Sequence, residues 1–146
     1  MSYKGIYRPS NPKKYKGDQS NIIYRSLWER KFMNYCDLNE NILEWASEEF
    51  WIPYLDPTTN RVRRYFPDFF IKYKDKENNI RRSVIEVKPM RETLEPKATK
   101  GKSRKTMINE SITYVKNQAK WKAAREFCAD RKLEFKIMTE KELGIR

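Results

Sequence analysis

Residues 67–88 read PDFFIKYKDKENNIRRSVIEVK, and their pattern decides how the rest of the chain is understood. Two runs rich in aromatic and β-branched residues flank the polar turn Lys76-Glu77-Asn78-Asn79, the signature of a β-hairpin. One run opens on Pro67-Asp68 and continues through Phe69-Phe70-Ile71; the other spans Arg81 to Lys88. Pairing symmetric about Glu77 sets Asp68 opposite Glu86, with Cβ atoms roughly 4.5 to 5.5 Å apart. Lys88 shares the face of Glu86, because side chains two apart in a strand point the same way. Two carboxylates that close repel unless a cation sits between them. Hard oxygen donors with no imidazole or thiolate nearby favour Mg²⁺, with Mn²⁺ as a substitute, and the main-chain carbonyl of Val87 is a further donor. Such a set suits metal-dependent phosphodiester hydrolysis, with Asp68 and Glu86 on the ion and Lys88 stabilising the pentavalent phosphate or positioning the attacking water.

A Pro-Asp followed by Glu-x-Lys also arises as a surface salt bridge on an edge hairpin. The flanks favour the site. Val84, Ile85 and Val87 make the strand apolar on both sides of Glu86, so its carboxylate is expected against a core, where unpaired charge is costly.

Downstream, Pro89, Pro96 and Gly101 interrupt the pattern up to Met107, while Arg91, Lys97, Lys100, Lys102, Arg104 and Lys105 outweigh Glu92 and Glu95. This predicts a basic loop beside the site, suited to clamping DNA. Helical periodicity returns from Ile108 or Asn109 to about Ala129. Ile112, Val115, Ala119, Ala123 and Phe127 form one face, and Tyr114, Asn117, Trp121 and Cys128 an adjoining one, both expected to be covered. Gln118 and Lys120 on this helix either reach phosphate or the site or belong to a solvated helix face, the pattern fitting both equally, and Trp121 is expected to pack. A last strand carries Leu133, Phe135 and Ile137, and Thr139 with Glu142 caps a short helix.

Upstream, Ser26 starts a helix that ends near residues 39–41, with Leu27, Phe32, Met33 and Cys36 on its apolar side. Glu29 has the spacing of a capping-box acceptor. It also lies on the face of Phe32, Met33 and Cys36, where a carboxylate needs a cationic partner; a site metal would be one, and this favours a place for Glu29 in the site as a further metal ligand or an orienting group. Strands are predicted over Glu48 to Tyr54 and Arg61 to Phe66, the second running on into Phe69-Phe70-Ile71. Residues 1–20 intersperse Lys4, Arg8, Lys13, Lys14 and Lys16 with Gly5, Pro9, Pro12 and Gly17, which predicts a basic arm without regular structure. Residues 21–146 form one domain.

The composition agrees with this chemistry. The 146 residues carry 32 Lys and Arg against 20 Asp and Glu, a formal charge of +12, so nucleic acid is the expected partner. There is no histidine, which removes His-based zinc sites, Ser-His and Cys-His nucleophiles and imidazole acid-base catalysis together. Cys36 and Cys128 are the only cysteines, and no signal peptide or membrane-spanning run is visible, so a reducing cytoplasmic setting is expected.

The set Glu29, Asp68, Glu86 and Lys88 resembles the site of the PD-(D/E)xK nuclease superfamily. More specifically, the chain resembles the head completion nucleases of T-even-like tailed phages through Tyr3-Lys4-Gly5-Ile6-Tyr7-Arg8-Pro9-Ser10, Tyr24-Arg25-Ser26-Leu27-Trp28-Glu29-Arg30 and Asn117-Gln118-Ala119-Lys120-Trp121. Its central hairpin is also similar to that of the endonuclease subunits of cut-and-paste transposons. The resemblance implies an α/β fold with a restriction-endonuclease-like core, a mixed central β-sheet flanked by α-helices. It further implies Mg²⁺-dependent cleavage of double-stranded DNA, trimming of packaged DNA before tails join, phage head or neck proteins as partners, and a place in the host cytoplasm or with the virion. No membrane and no small-molecule cofactor is expected. The auxiliary residue of the long helix is left open between Gln118 and Lys120, as is endo- against exonucleolytic cutting. Two alternatives stand beside this reading: a non-catalytic DNA-binding head or neck protein, and a junction-resolving endonuclease.

Overall fold

The computed structural model describes residues 4–144. The hairpin read from the sequence is the centre of the fold. Strands β6 (Phe69–Lys74) and β7 (Ile80–Val87) pair antiparallel from Phe69 opposite Ile85 to Lys74 opposite Ile80. The ladder is symmetric about Glu77, as expected. β3 (Ile42–Ser47) flanks β6 antiparallel and β8 (Glu134–Met138) flanks β7 in parallel, giving a mixed four-stranded sheet of order β3-β6-β7-β8.

Each face of the sheet has its own cover. On one side α1 (Leu27–Leu38) buries Phe32, Met33 and Cys36 against Trp45, Phe69, Ile71, Ile85 and Val87. On the other, α3 (Arg104–Asp130) packs Trp121 and Ala124 with Phe135 and Ile137 of β8 and with Ile52, Tyr54 and Tyr65 of a second hairpin. That hairpin is β4 (Ile52–Asp56) with β5 (Arg61–Tyr65). Two short helices, α2 (Met90–Thr93) and α4 (Glu140–Leu143), follow β7 and β8. The Thr139-Glu142 capping box is present at the second of them. Cys36 and Cys128 are buried, free thiols.

Several expectations change, and the strand from Arg61 ends at Tyr65 instead of running on into Phe69-Phe70-Ile71, since the intervening Pro67 has no N–H to give to a ladder. The N-terminal segment is no loose arm over its described part: β1 (Gly5–Ile6) pairs with β2 (Ile23–Tyr24), while Tyr7, Tyr15 and Ile22 join the core. Residues 1–3, including Tyr3 of the motif quoted above, lie outside the described residues, as do 145 and 146. The buried Asp37 carboxylate ties the segment down by accepting from the main-chain N–H groups of Ser10 (2.7 Å) and Asn11 (2.9 Å) and from the Tyr7 hydroxyl (3.1 Å). A strand not foreseen, β3, follows α1, and its bulge between Ile42 and Glu44 breaks the two-residue alternation that would have revealed it. The strand expected from Glu48 begins only at Ile52. The long helix starts at Arg104, earlier than expected, because Ser103 caps it by accepting from the Thr106 N–H at 3.1 Å.

The face of α3 expected to be covered is open over its first half. Ile108, Ile112 and Val115 are 51%, 40% and 40% exposed, since this half projects past the sheet while the second half packs against β8 and the β4–β5 hairpin.

Candidate active site

Asp68 stands at the start of β6, one step beyond the pair Phe69 and Ile85, which continues the register to Glu86. Its carbonyl accepts from the Glu48 N–H at 3.2 Å, and its carboxylate Oδ2 accepts from the Val87 N–H at 2.8 Å. Both ends of the residue are therefore held by main chain. Glu86 is 5% exposed, on the α3 side of the sheet. Its Oε1 accepts from the Tyr65 hydroxyl at 2.7 Å, and its Oε2 lies 3.7 Å from Nζ of Lys88. Lys120 extends from α3 so that its Nζ is 5.9 Å from the ring centres of both Tyr54 and Tyr65.

Glu29 fills both roles weighed for it in part. Ser26 Oγ accepts from the Glu29 N–H at 3.2 Å, as an N-cap should. The Glu29 carboxylate, however, accepts from the N–H of Arg25 rather than Ser26, also at 3.2 Å. This leaves the half-buried group close enough to the site for Glu86 and Asp68 to feel its charge.

The electrostatics are those of crowded acids. Burial, then the charges of Glu86 and Glu29, push the Asp68 carboxyl well above the usual carboxylate range. Burial raises Glu86 as well, opposed by the Lys88 ammonium and the Tyr65 hydrogen bond. Glu29 is raised by burial and by Glu48 and Glu86, against the pull of the Arg25 N–H and guanidinium. Lys120 is shifted down by burial, while Glu86 draws it back up. The Tyr65 phenol is pushed far up, by burial and by Glu86, and so stays a donor. Among the described residues no group of three or more Asp, Glu or Cys side chains has metal-holding geometry, so Glu29, Asp68 and Glu86 do not form a three-carboxylate cage.

Residues 39–140 match the family model described as TnsA-like endonuclease N terminal. The chain belongs to the TnsA-like endonuclease family. It is also similar to the head completion nuclease of Enterobacteria phage T4, with 37% identity over 143 residues that cover 96% of this chain and 93% of that protein. The interval matched to the TnsA-like family holds Asp68, Glu86, Lys88 and Lys120, and Glu29 precedes it. A mixed sheet enclosed by helices is the restriction-endonuclease-like fold of this family.

Of the two candidates on the long helix of this TnsA-like chain, Lys120 faces Glu86. Gln118 lies two residues away, about 200° around a helix of 3.6 residues per turn, and so points elsewhere. Lys97, Lys100 and Lys102 occupy the loop after α2, whereas Arg104 and Lys105 open α3. All five are exposed, and Lys102 is engaged with Glu110 at 3.1 Å. Sequence reasoning missed Tyr65, hidden as the single inward residue after the exposed run Arg61 to Arg64. It also missed the two-bond pairing of Arg25 with Glu48, Nε to Oε1 at 3.0 Å and Nη2 to Oε2 at 3.1 Å, which flanks Glu29 and Asp68. Glu48 has φ of +53°, and nothing in its residue type announced that conformation.

Proposed function

We propose that the chain is a Mg²⁺-dependent deoxyribonuclease that hydrolyses phosphodiester bonds in double-stranded DNA and acts in phage head completion, trimming packaged DNA before head and tail join. The observation that carries this reading is the pair Asp68 and Glu86: two carboxylates in cross-strand register, both shifted toward protonation, with one lysine alongside. A hard divalent cation relieves that repulsion, and no histidine is needed. Asp68 and Glu86, with the Val87 carbonyl, would hold the ion, and Mn²⁺ would substitute for it. When bound, the ion supplies Lewis acidity to the phosphate and lowers the pKa of water. Lys88 positions the attacking water and offsets charge on the phosphate. Glu29 orients the site from its edge, Tyr65 fixes the rotamer of Glu86, and Lys120 adds positive charge from α3. The exposed cations Lys97, Lys100, Lys102, Arg104 and Lys105, together with Gln118, lie along the path of the DNA.

The phage setting is supported by the similarity to the phage T4 protein, which extends over nearly the full length of both chains. Head or neck proteins are then the expected protein partners and the infected host's cytoplasm the expected location. No described helix is long and apolar enough to cross a membrane.

The test is cleavage of plasmid and linear duplex DNA with Mg²⁺, comparing wild type, Glu86→Gln, Lys88→Ala and an EDTA control. Metal-dependent cutting that disappears in both variants, with DNA affinity kept, is the expected outcome. Tight DNA binding without cutting under either Mg²⁺ or Mn²⁺ would replace the hydrolytic reading with that of a structural DNA-binding protein.

A further inference from the structure

A cleft of about 510 Å³ lies between α2 with its following loop and the first half of α3. Its floor includes Tyr114 and Asn117, and its rim Arg91, Lys97 and Lys102. Asn117 is 5% exposed, and among the described residues nothing hydrogen-bonds its side-chain amide. The amide is not sealed in: the described buried side-chain atoms without a hydrogen-bond partner or solvent access belong to Trp45, Asp56 and Trp121. Asn117 therefore presents donors and an acceptor to the cleft.

Both walls of the cleft lead by short steps of chain to residues of the site. On α3, Tyr114 and Asn117 line the cleft, and Lys120 lies one turn beyond Asn117, about 4.5 Å further along the axis. On the opposite wall Arg91 follows Lys88 by three residues. The volume suits one small organic group and is far too small for a duplex. Its chemistry is divided in the same sense. The floor offers an aromatic ring and an amide. The cations stand at the rim, where Lys97 is joined by the neighbouring Lys100 and Arg104, while Glu92, Glu95 and Glu110 keep the lining itself near neutral. A nucleobase is neutral and flat with donor and acceptor edges, and its phosphates are anionic, so a base inside and phosphates at the rim match both zones.

We propose that the cleft between α2 and α3 binds an unpaired nucleotide of the DNA, with Tyr114 stacking on the base and Asn117 reading its edge. The substrate class is then DNA with a single-stranded end or gap beside the scissile phosphate, and the proposal rests on the nuclease reading above. Stacking and edge contacts of this kind give a preference of about tenfold or more for a tailed over a blunt duplex.

The experiment is fluorescence anisotropy in EDTA, where no cleavage occurs, with a blunt duplex and the same duplex carrying a short single-stranded extension. Wild type is expected to favour the tailed duplex about tenfold. Asn117→Ala and Tyr114→Leu, each checked for native circular dichroism, should bring the ratio toward one while blunt-duplex affinity holds. Equal affinity of wild type for both duplexes, or a preference that survives both substitutions, overturns the proposal. Cleavage of the same two duplexes in Mg²⁺ separates the two ideas: cutting without a preference removes the nucleotide site alone, and a preference without any cutting leaves the site and removes the nuclease reading.

Discussion

Replacing Asp68 with asparagine separates the charge of this side chain from its shape. The amide oxygen of the variant can still accept the Val87 N–H, a bond of 2.8 Å in the wild type. What disappears is a charge facing Glu86 and Glu29. Cross-strand neighbours stand about 5 Å apart. At an effective dielectric of about 20, two unit charges at that spacing repel by about 3 kcal/mol. Attraction to Lys88, partial protonation and solvent screening at the exposed side of Asp68 reduce this, leaving about 1 to 2 kcal/mol against the metal-free fold at pH 8. For a domain of this size that amounts to about 3 to 8 °C in Tm. The sign follows from linkage. Asp68 titrates well above its usual range when folded and near pH 3.9 when unfolded, so its cost is absent below about pH 4 and grows as pH rises toward the folded value. In EDTA, Asp68→Asn should therefore melt higher than wild type at pH 8, the difference closing near pH 4. Millimolar Mg²⁺ should raise the wild-type Tm and leave that of the variant nearly unmoved. A variant no more stable than wild type at pH 8, or a wild type indifferent to Mg²⁺, would refute the argument that these carboxylates are held apart from their preferred ion.

Tyr65→Phe keeps the ring in the core and removes the hydroxyl that donates to Glu86 at 2.7 Å. The Mg²⁺ concentration for half-maximal cleavage should rise about tenfold, and an unchanged Mg²⁺ titration would show that Glu86 needs no such support. Combining Lys100→Ala with Lys105→Ala should flatten the plot of log affinity for DNA against log salt by about 1.8, whereas an unaltered slope would place both residues off the DNA path. Asp56 is held at about 2 by the Thr58 hydroxyl, with Lys116 and Arg63 adding to the effect. A depressed carboxyl stabilises the fold above its unfolded pKa and loses that contribution as pH falls toward 2, so Asp56→Ala should lower Tm at neutral pH and converge with wild type in acid. Equal melting at pH 7 would show the Asp56 cluster to be idle.

The hairpin register was legible because it depends only on a turn and a period of two, both local properties of residues 67–88. The same locality explains what was hidden. Tyr7, Tyr15 and Ile22 are spread among lysines, prolines and glycines, and what anchors their segment is a buried carboxylate, Asp37, which comes later in the chain and accepts main-chain N–H groups. No side-chain pattern in residues 4–24 encodes those bonds. The exposed stripe Ile108, Ile112 and Val115 shows the converse. Periodicity identifies an apolar face, but whether another element reaches it is a matter of how far the helix extends beyond the sheet. Of the site, Asp68, Glu86 and Lys88 followed from strand geometry, whereas Tyr65 arrives from a different hairpin and Arg25 through its pairing with Glu48.

Tyr65 reaches Glu86 because the long ribbon formed by β3–β4 and β5–β6 is bent at the site. Between the pairs Ser47–Phe69 and Ile52–Tyr65 lie residues 48–51 on one strand and 66–68 on the other, so one side carries an extra residue. Glu48 takes the left-handed conformation within this bulge, and Pro67, which has no N–H to give to a ladder, interrupts the facing strand. In an unbroken strand Tyr65 and Phe69, four apart, would share a face. Instead Phe69 packs against α1 and Tyr65 against α3. The irregular step thus turns the β4–β5 half of the ribbon over, laying Tyr65 on Glu86 and Tyr54 beside Lys120, and it leaves Asp68 at the bend, where its carboxylate accepts from the Val87 N–H. A bulge here costs ladder hydrogen bonds, and what it yields is a carboxylate from each side of one hairpin meeting a phenol and an ammonium from two other elements at a single point.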